Sequence, residues 1–588
     1  MAAKSVIADM DSNGSDETPG QDEPDMALSG MHMLLNNGFD EAQALFEKYK
    51  SESALMHAGY SFVYFMQALM SFEEEKIDEA VKVLQETEKA CDTDSGLFKS
   101  LRKKLRSKKK KDSEQQISVE ERIQRQVVVA DSLLYQSILI MTSQDIPGYM
   151  KGGWHLRKAW KIYEKLHKEV VSLQEKQAKL KQSRSKNSLP PNDVNPGQEG
   201  PYDDNENELP EEVLSRLLGA VNFGFGTFQL CISMVPPKIL KLIEFLGFEG
   251  DRVAGLAALD YTSRSRDMKA PLATLGLLWY HTVLRPFFAL DGANDCSAGT
   301  ADAEEIIDSK EREFEHSSLF LFFRGRICKL RRKSDDALTV YTQALEAAAG
   351  QREIELMCQY EIGWCNLMKL NYRECLNNFK RLKDETKWSK CYYTYLMGVC
   401  LGAMGDLPAA EETLRKVPGL LKKKNHQIEA FVSRRAEKIK KMTLSQEYCR
   451  LLTLELVFLW HALPTCTPEE LQPYLTVCDM QTDNKSFHLK CLLEGSVFKE
   501  LGEEELAIQC LEESLARHQG MKDDHHVAAF ANYELASIYI KKPQTVGKAK
   551  SLLQSIKDTY KDYDFENRLV VRINNALRQL KENGPPVA

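Results

Sequence analysis

Several features that would indicate catalysis or a β-sheet are missing from this chain of 588 residues. Its 14 cysteines include no C-x-x-C pair and sit among apolar residues, so we interpret them as small, reduced core residues. The sequence has no Walker-type phosphate loop, no H-E-x-x-H zinc motif and no G-x-S-x-G elbow. No segment alternates apolar and polar residues as a half-buried strand does. These absences predict an all-helical protein that is not an enzyme and needs no cofactor and no metal.

Charge and targeting signals are equally sparse. The net charge is -8 with a pI near 6.0, which offers no global attraction to nucleic acid. The first 25 residues carry seven acidic side chains and a single lysine, unlike a signal or transit peptide. We therefore expect a cytoplasmic protein with no nucleic-acid partner.

A recurring spacing is the strongest pattern that the sequence contains. At six places a Gly or Ala is followed 12, 16 and 19 residues later by a small, a large and usually an apolar residue. The clearest set is Gly325, Ala337, Tyr341 and Ala344, and the other sets begin at Gly30, Ala68, Gly363, Gly398 and Gly495. Two antiparallel helices approach closely only where both carry small residues, and the later large residue fills the groove beside them. The spacing predicts tetratricopeptide-type helical hairpins that stack into a solenoid, an α-α superhelix with a period of about 34 residues.

Interruptions of this pattern suggest how the chain is organised. The acidic start and a Pro- and Gly-rich stretch cannot bury enough apolar surface to order themselves. We expect a disordered acidic tail over 1–25, helical hairpins over 26–182, a disordered linker over 183–210, a helical core region over 211–316, three tandem repeats over 317–418 and C-terminal helical repeats over 419–588. A Gly152-Gly153 pair is expected to break the chain path before a helix over 154–180.

Two stretches with few charges, 217–237 and 270–290, require a comparison with membrane spans. Both contain too many polar residues or prolines for a span, so we expect buried helices and no transmembrane segment. A short amphipathic stretch at 239–246 and a basic run at 99–111, with nine Lys or Arg in thirteen residues, leave peripheral membrane contact possible. The basic run is otherwise a targeting signal or an exposed link.

Polar clusters elsewhere have simpler interpretations. Asp523-Asp524-His525-His526 could bind a metal, but its place between two helices favours an exposed turn. A second basic stretch at 422–441 is expected to be an exposed link. Gly224 and Gly226 resemble half of a dinucleotide loop, yet no strand precedes them, so close helix packing explains them better.

The concave face of the three central repeats is the predicted binding site. In this repeat type, positions three before, one after and four after the small residue face the groove. These positions include Phe322, Arg326, Lys329, Tyr360, Trp364 and Tyr395. Such a mixture suits a protein partner, either an apolar helix or a peptide with one acidic anchor, and Trp364 is the favoured contact. The alternative is that another part of the same chain fills the groove.

Six strings of residues carry a resemblance to a known family. They are 151–163, 231–237, 267–272, 278–282, 285–291 and 563–569. Together they resemble the tetratricopeptide repeat protein 39 family, subtype C most closely, which is grouped with a fungal inclusion-body clearance protein. The resemblance implies a non-catalytic scaffold or adaptor in cilium assembly. A lipid- or membrane-surface protein, acting in lipid-droplet or lipid homeostasis, is the alternative, and an enzyme near His281 and Arg285 is a third hypothesis.

Overall fold

The computed structural model describes residues 23–92, 117–143, 146–187, 209–233, 250–290, 292, 295–422, 427–521 and 523–582. Within these ranges every regular element is a helix and no strand occurs, which confirms the predicted all-α class. Contacts divide the chain into two compact units. The first contains the described residues up to Leu277 except 70–73, and the second contains 70–73 and the residues from Leu278 onward.

Several sequence predictions fall outside the described residues. They concern most of the acidic tail, the basic run at 99–111, most of the linker and the amphipathic stretch at 239–246. Where helices meet these predicted boundaries, they extend further than expected. The first helix begins at Glu23, inside the predicted tail, and another continues to Asn187, inside the predicted linker. Neither extension contains a glycine, and Pro24 is tolerated because it lies in a first turn.

Nine helices of the described residues build the first unit. They are α1 (Glu23–Leu35), α2 (Phe39–Tyr49), α3 (Ala54–Ser71), α4 (Glu74–Cys91), α5 (Val119–Met141), α6 (Ile146–Asn187), α7 (Glu211–Ser233), α8 (Arg252–Ser263) and α9 (Ala270–Trp279). Ser118 caps the start of helix α5, since its side chain accepts a hydrogen bond from the backbone N–H of Glu121. It packs against α4, α6 and α7, and α7 packs in turn against α8.

Helix α6 corrects one prediction about the chain path. Gly152 and Gly153 do not interrupt it, because they lie inside one continuous helix. A Cβ atom placed on Gly152 would lie 2.7 Å from Met141 Cγ, and the Ser137 hydroxyl donates to the Gly152 carbonyl at 2.8 Å. Glycine is therefore present to let α5 and α6 approach closely, and packing compensates its low helix propensity.

Buried helices occupy the described parts of both weakly charged stretches, up to Ser233 in the first. Leu217, Val221 and Phe228 of α7 are fully buried, and Tyr163 of α6 fits against Gly224. A Cβ atom on Gly226 would lie 2.8 Å from the carbonyl oxygen of Gly255. Gly224 and Gly226 therefore allow close helix packing, as predicted. Among the described residues, no helix combines the length and apolar character that crossing a membrane requires.

The second unit continues from α9 through a π-helical turn, Tyr280–Leu284. Its α-helices are α10 (Arg285–Phe287), α11 (Thr300–Ser309), α12 (Glu311–Phe314), α13 (Ser318–Leu330), α14 (Ser334–Ala347), α15 (Arg352–Met368), α16 (Tyr372–Glu385), α17 (Lys390–Ala403), α18 (Leu407–Lys416), α19 (Gln427–Ile439), α20 (Gln446–Leu459), α21 (Pro468–Asp479), α22 (Phe487–Leu501), α23 (Glu504–His518), α24 (His525–Tyr539), α25 (Val546–Thr559) and α26 (Glu566–Glu582). Short 3-10 turns follow α18 and α20, at Val417–Leu420 and Leu463–Thr465.

Helical hairpins form wherever the spacing predicts them in this unit. The glycine of the first helix receives the large residue that follows 16 positions later. The four pairs are Gly325–Tyr341, Gly363–Phe379, Gly398–Leu414 and Gly495–Leu511. A Cβ atom on any of these glycines would lie 2.6 to 2.9 Å from the partner side chain, closer than packed carbon atoms come. The predicted tetratricopeptide-type hairpin is therefore confirmed, and its spacing has the expected mechanical cause.

Within the predicted exposed link at 422–441, Lys422, Arg434, Lys440 and Lys441 are exposed, but Arg435 belongs to a buried ion-pair network. Arg435 of α19 is only 3% exposed, and its Nε donates to Glu455 at 2.8 Å while its Nη1 donates to Asp524 at 2.7 Å. His526, predicted to lie in an exposed turn, is also buried and its Nε2 lies 3.0 Å from Glu455 Oε1. The carboxylates of Glu455 on α20 and of Asp524, just before α24, compensate the cation, which explains how charged residues enter this core.

Candidate functional site

The six predicted groove residues lie on three successive first helices of the second unit. Helix α13 carries Phe322, Arg326 and Lys329, α15 carries Tyr360 and Trp364, and α17 carries Tyr395. Burial separates them into two groups. Tyr395 is fully buried, Trp364 is 2% exposed and Phe322 is 6% exposed, whereas Arg326, Lys329 and Tyr360 keep some accessible surface.

Aromatic rings from a later part of the chain pack against this face. Trp460, the residue after α20, stacks on Trp364 with ring centroids 5.2 Å apart and on Tyr392 with centroids 5.4 Å apart. Its Nε1 donates to the Tyr360 hydroxyl at 3.0 Å. This packing agrees with the alternative that the chain itself occupies part of the groove. Sequence reasoning missed Trp460 because no spacing connects it with residues about one hundred positions earlier.

The two basic residues of the predicted site share one carboxylate. Arg326 Nη1 donates to Glu361 Oε1 at 2.7 Å, and Lys329 Nζ lies 2.9 Å from Glu361 Oε2. Burial would raise the pKa of Glu361, but the charges of Lys329 and then Arg326 outweigh burial and hold it below its usual value. Glu361 is therefore ionised. The repeat register could have found it, since it follows Arg326 by 35 residues, one repeat length.

A cavity of about 190 Å³ opens beside this ion-pair cluster. Four of the six predicted residues, Arg326, Lys329, Tyr360 and Trp364, form part of its wall. Sequence reasoning missed the opposite wall, to which Phe287, Cys296, Trp460 and His461 belong. Phe287, Tyr360, Trp364 and Trp460 give the wall aromatic surface, and Arg326, Lys329 and Glu361 give it charged groups. Such a combination is typical of ligand pockets.

A cysteine and a histidine meet in the wall of the cavity. The Cys296 Sγ and His461 Nε2 atoms are 3.4 Å apart, and Arg572 Nη1 donates to His461 Nδ1 at 3.2 Å. Because an arginine can only donate, Nδ1 accepts, and the ring proton of a neutral His461 is on Nε2 beside the sulfur. Burial, together with Arg572, lowers the pKa of His461 well below its usual value, and burial raises the pKa of Cys296 to about 12. A thiol with a raised pKa beside an imidazole with a lowered pKa lacks the thiolate character of an activated nucleophile.

Metal binding has no support from the described residues. No group of three or more His, Cys, Asp or Glu side chains within the described ranges could hold a metal ion. Asp524, part of the one metal candidate in the sequence, instead accepts hydrogen bonds from Arg435 and from Lys438, both at 2.7 Å. Its lone pairs are thus engaged in the ion-pair network described above.

The first unit exposes two large apolar side chains on a basic helix face. Trp154 and Met150, one turn apart on α6, are 66% and 54% exposed. Lys151, Lys158 and Lys161 are exposed on the same helix. Other aromatic residues of this helix face neighbouring helices; Trp160, for example, stacks on Phe228 with ring centroids 4.4 Å apart.

Comparison with known proteins adds a family match that covers most of the chain. The model of a family described as Iml2/Tetratricopeptide repeat protein 39 matches residues 28–501. The alignment with the crystal structure of yeast Tom70 covers 96% of this chain and 97% of that one, at 11% identity and a TM-score of 0.23. The Cut9-Hcn1 hetero-tetramer of APC/C gives 95% and 97% coverage, 11% identity and a TM-score of 0.22. The corresponding values for Ypp1 are 96%, 93%, 11% and 0.22. Scores this low carry no argument about the present chain.

Proposed function

Because the chain belongs to the Iml2/Tetratricopeptide repeat protein 39 family, we propose that it is a non-catalytic helical-repeat scaffold that holds a protein partner at the cavity beside Tyr360 and Trp364. A helical-repeat fold supports a role in protein interaction, because stacked hairpins present extended surfaces to partners. The inactive arrangement of Cys296 and His461 agrees with a role that does not involve catalysis.

The cavity is the observation that carries this proposal. Its aromatic wall can receive an apolar side chain of a partner, in the way that interface pockets receive anchoring residues. Tyr360 and the two basic residues stand at the accessible side, whereas Tyr395 and Phe322 support the helices from within. The partner therefore contacts Arg326, Lys329 and Tyr360 and places its anchor against Trp364.

A cavity-filling variant tests this proposal. Val283 is half-buried in the cavity wall, so Val283→Phe would occupy the space that the anchor needs. Val253→Phe makes the same exchange at a side chain that is 75% exposed on α8 and serves as the control. Pull-down with the immobilised full chain should recover a partner with wild type and Val253→Phe that Val283→Phe loses. If all three folded proteins recover identical sets of partners, the cavity is not the partner-binding site.

The cellular setting of this scaffold follows from the family resemblance alone. We place the protein in the cytoplasm and in cilium assembly. Fluorescent tagging in ciliated cells, followed by depletion, tests both parts. We expect a cytoplasmic signal and shorter or fewer cilia after depletion, and unchanged cilia would remove the second part.

A second candidate function is contact with lipid surfaces in lipid homeostasis, and the exposed face of α6 favours it. The amphipathic stretch at 239–246 and the basic run at 99–111, which the sequence offered for this role, lie outside the described residues. Trp154, Met150 and the surrounding lysines provide the contact in this candidate. Indole rings and lysines are typical of membrane interfaces. Flotation with phosphatidylserine vesicles at low salt should retain wild type and Trp279→Ala, a variant of another exposed tryptophan, and release Trp154→Ala. No flotation of wild type would remove this candidate.

A further inference from the structure

Positive charge exceeds negative charge among the side chains that line the cavity of the second unit. Arg326 and Lys329 lie in its wall and share the single carboxylate of Glu361, which leaves one positive charge uncompensated. Two more guanidinium groups, those of Arg568 and Arg572 on α26, lie directly behind the wall. Burying uncompensated charge is costly, so an excess of cations beside a cavity requires an explanation.

Arg572 shows this excess most clearly. It is 3% exposed, and its Nε donates to the carbonyl oxygen of Phe287 at 2.9 Å while Nη1 donates to His461. Its Nη2 is buried and has no hydrogen-bond partner in the described part of the chain. Neither bonded partner is a carboxylate. A buried guanidinium that lacks both a counter-charge and one of its hydrogen bonds is an incomplete site.

Arg568 adds to the same excess from the preceding turn of α26. Its guanidinium carbon lies 5.0 Å from the ring centre of Phe287 and 4.9 Å from that of Phe565. The pKa of Arg568 lies well below its usual value, because burial and then the charge of Arg572 both disfavour its protonated form. Both arginines therefore contact a residue of the cavity wall, since Phe287 lines the cavity.

The size and lining of the cavity restrict the anion. An apolar cavity of about 150 Å³ accepts benzene, so 190 Å³ accommodates a ligand of about eight to ten heavy atoms. Trp364, Trp460 and Phe287 offer aromatic surfaces that an inorganic ion would leave uncovered. The chemistry that satisfies both features is an acid group attached to a small apolar body.

We propose that the cavity is a binding site for a carboxylate on a small aromatic or branched aliphatic body, held by Lys329 and Arg326 and by the field of Arg568 and Arg572. The carboxylate belongs either to a residue of the partner or to a free organic acid. The first of these two sources rests on the proposed function. Bound carboxylate supplies the negative charge that Glu361 alone does not.

Binding to the purified full chain tests this inference without any partner. Phenylacetate is the free-acid probe, phenylacetamide is its neutral isostere, and Gly-Gly-Phe with a free or amidated C-terminus represents a peptide residue. Calorimetry, with tryptophan fluorescence as a second readout of Trp364 and Trp460, should show phenylacetate binding at least tenfold tighter than phenylacetamide. Tight binding of the free-carboxylate tripeptide as well identifies a partner residue as the source, and binding of phenylacetate alone identifies a free acid.

Variants connect this binding to the cavity. Arg572→Met should weaken phenylacetate binding at least tenfold, and Lys329→Met, which leaves Glu361 paired with Arg326, should do the same. Arg415→Met exchanges an arginine whose side chain is 68% exposed and should leave binding unchanged. Val283→Phe should abolish it by filling the space. Thermal unfolding checks that each variant is folded. If Arg572→Met does not fold, Lys329→Met and Val283→Phe still test the inference.

Three results would overturn the inference. They are equal binding of phenylacetate and phenylacetamide, equal binding of inorganic phosphate and phenylacetate, and tight phenylacetate binding that survives in every folded cavity variant. Because these measurements contain no partner, their failure leaves the pull-down of the proposed function unaffected. A lost pull-down, conversely, leaves free-acid binding standing.

Discussion

Gly325 and Tyr341 illustrate at the scale of single residues why a fixed spacing recurs in this chain. Glycine lowers helix stability by about 1 kcal/mol relative to alanine, so its recurrence inside first helices needs a compensating gain. The compensating gain is close packing of the Tyr341 ring against the backbone of Gly325. A Cβ atom at position 325 would lie 2.7 Å from Tyr341 Cε1, too close for packed carbon atoms. Burial of the tyrosine ring therefore depends on the absence of one methyl group.

We predict that Gly325→Ala destabilises the second unit by about 1 to 3 kcal/mol, because overpacking outweighs the better helix propensity of alanine. The matched control is Gly276→Ala on α9, where an added Cβ meets nothing within 4 Å and the exchange should stabilise by up to about 1 kcal/mol. Urea unfolding followed by circular dichroism gives both midpoints. A variant Gly325→Ala as stable as wild type would contradict the packing explanation.

The same residues show how far sequence reasoning reaches. The offset of 16 residues identifies Gly325–Tyr341 and its equivalents because both members lie within one hairpin, where chain connectivity fixes the register. Trp460 and Arg572 escaped it because they meet Trp364 and His461 through tertiary packing over large sequence distances. Four cavity residues were predicted from the repeat register, whereas the wall that closes the cavity was not.

At the scale of elements, the ion-pair network joins helices that no repeat spacing connects. Asp524 precedes α24, Arg435 and Lys438 lie on α19, and His488 on α22 lies 3.1 Å from the same carboxylate. Burial would raise the pKa of Asp524, but Arg435 and the hydrogen bond from His488 hold it well below its usual value. The sequence predicted an exposed turn here because charged residues between helices are usually solvated, and tertiary pairing overrides that preference.

Asp524→Asn should therefore lower the free energy of unfolding by about 3 kcal/mol at pH 7, because it removes one of the two carboxylates that pair with buried Arg435 and the carboxylate that pairs with Lys438. A carboxyl group with a lowered folded-state pKa stabilises the fold above its unfolded pKa of about 4, and this contribution is lost as the pH falls further. The difference from wild type should thus be constant between pH 7 and 5 and shrink below about pH 4. Urea midpoints across this range provide the measurement.

Asp335→Asn is the control for this prediction. Its side chain is 85% exposed and pairs with Lys369 at 2.8 Å, so its loss should cost at most about 1 kcal/mol. Equal effects of the two exchanges, or a difference that grows as the pH falls, would show that the network does not stabilise the second unit.

At the scale of the whole molecule, the cysteines agree with a reduced, packed interior. All 14 are free thiols, and 11 of them are buried while Cys231, Cys328 and Cys510 are half-buried. Burial raises the pKa of several of these thiols, for example to about 12 for Cys358 and to about 11 for Cys510. Their spread over both units makes thiol reactivity a measure of how completely the chain is folded.

We expect a thiol-specific reagent such as DTNB at pH 8 to label at most about three cysteines rapidly in the native chain. The protonated state and burial of the others slow their reaction. Unfolding in urea without a reductant should expose all 14 thiols. A lower total would indicate disulfide bonds, and fast labelling of most thiols in the native chain would contradict the packing described above.

We propose that this helical-repeat protein works by holding a partner at the cavity between Tyr360, Trp364 and Trp460. Proximity labelling in cells that express wild type, Val283→Phe or Val253→Phe at equal levels tests it most directly. We expect wild type and Val253→Phe to label at least one protein strongly, and Val283→Phe not to label that protein. Three indistinguishable sets of labelled proteins, with all variants folded, would contradict it.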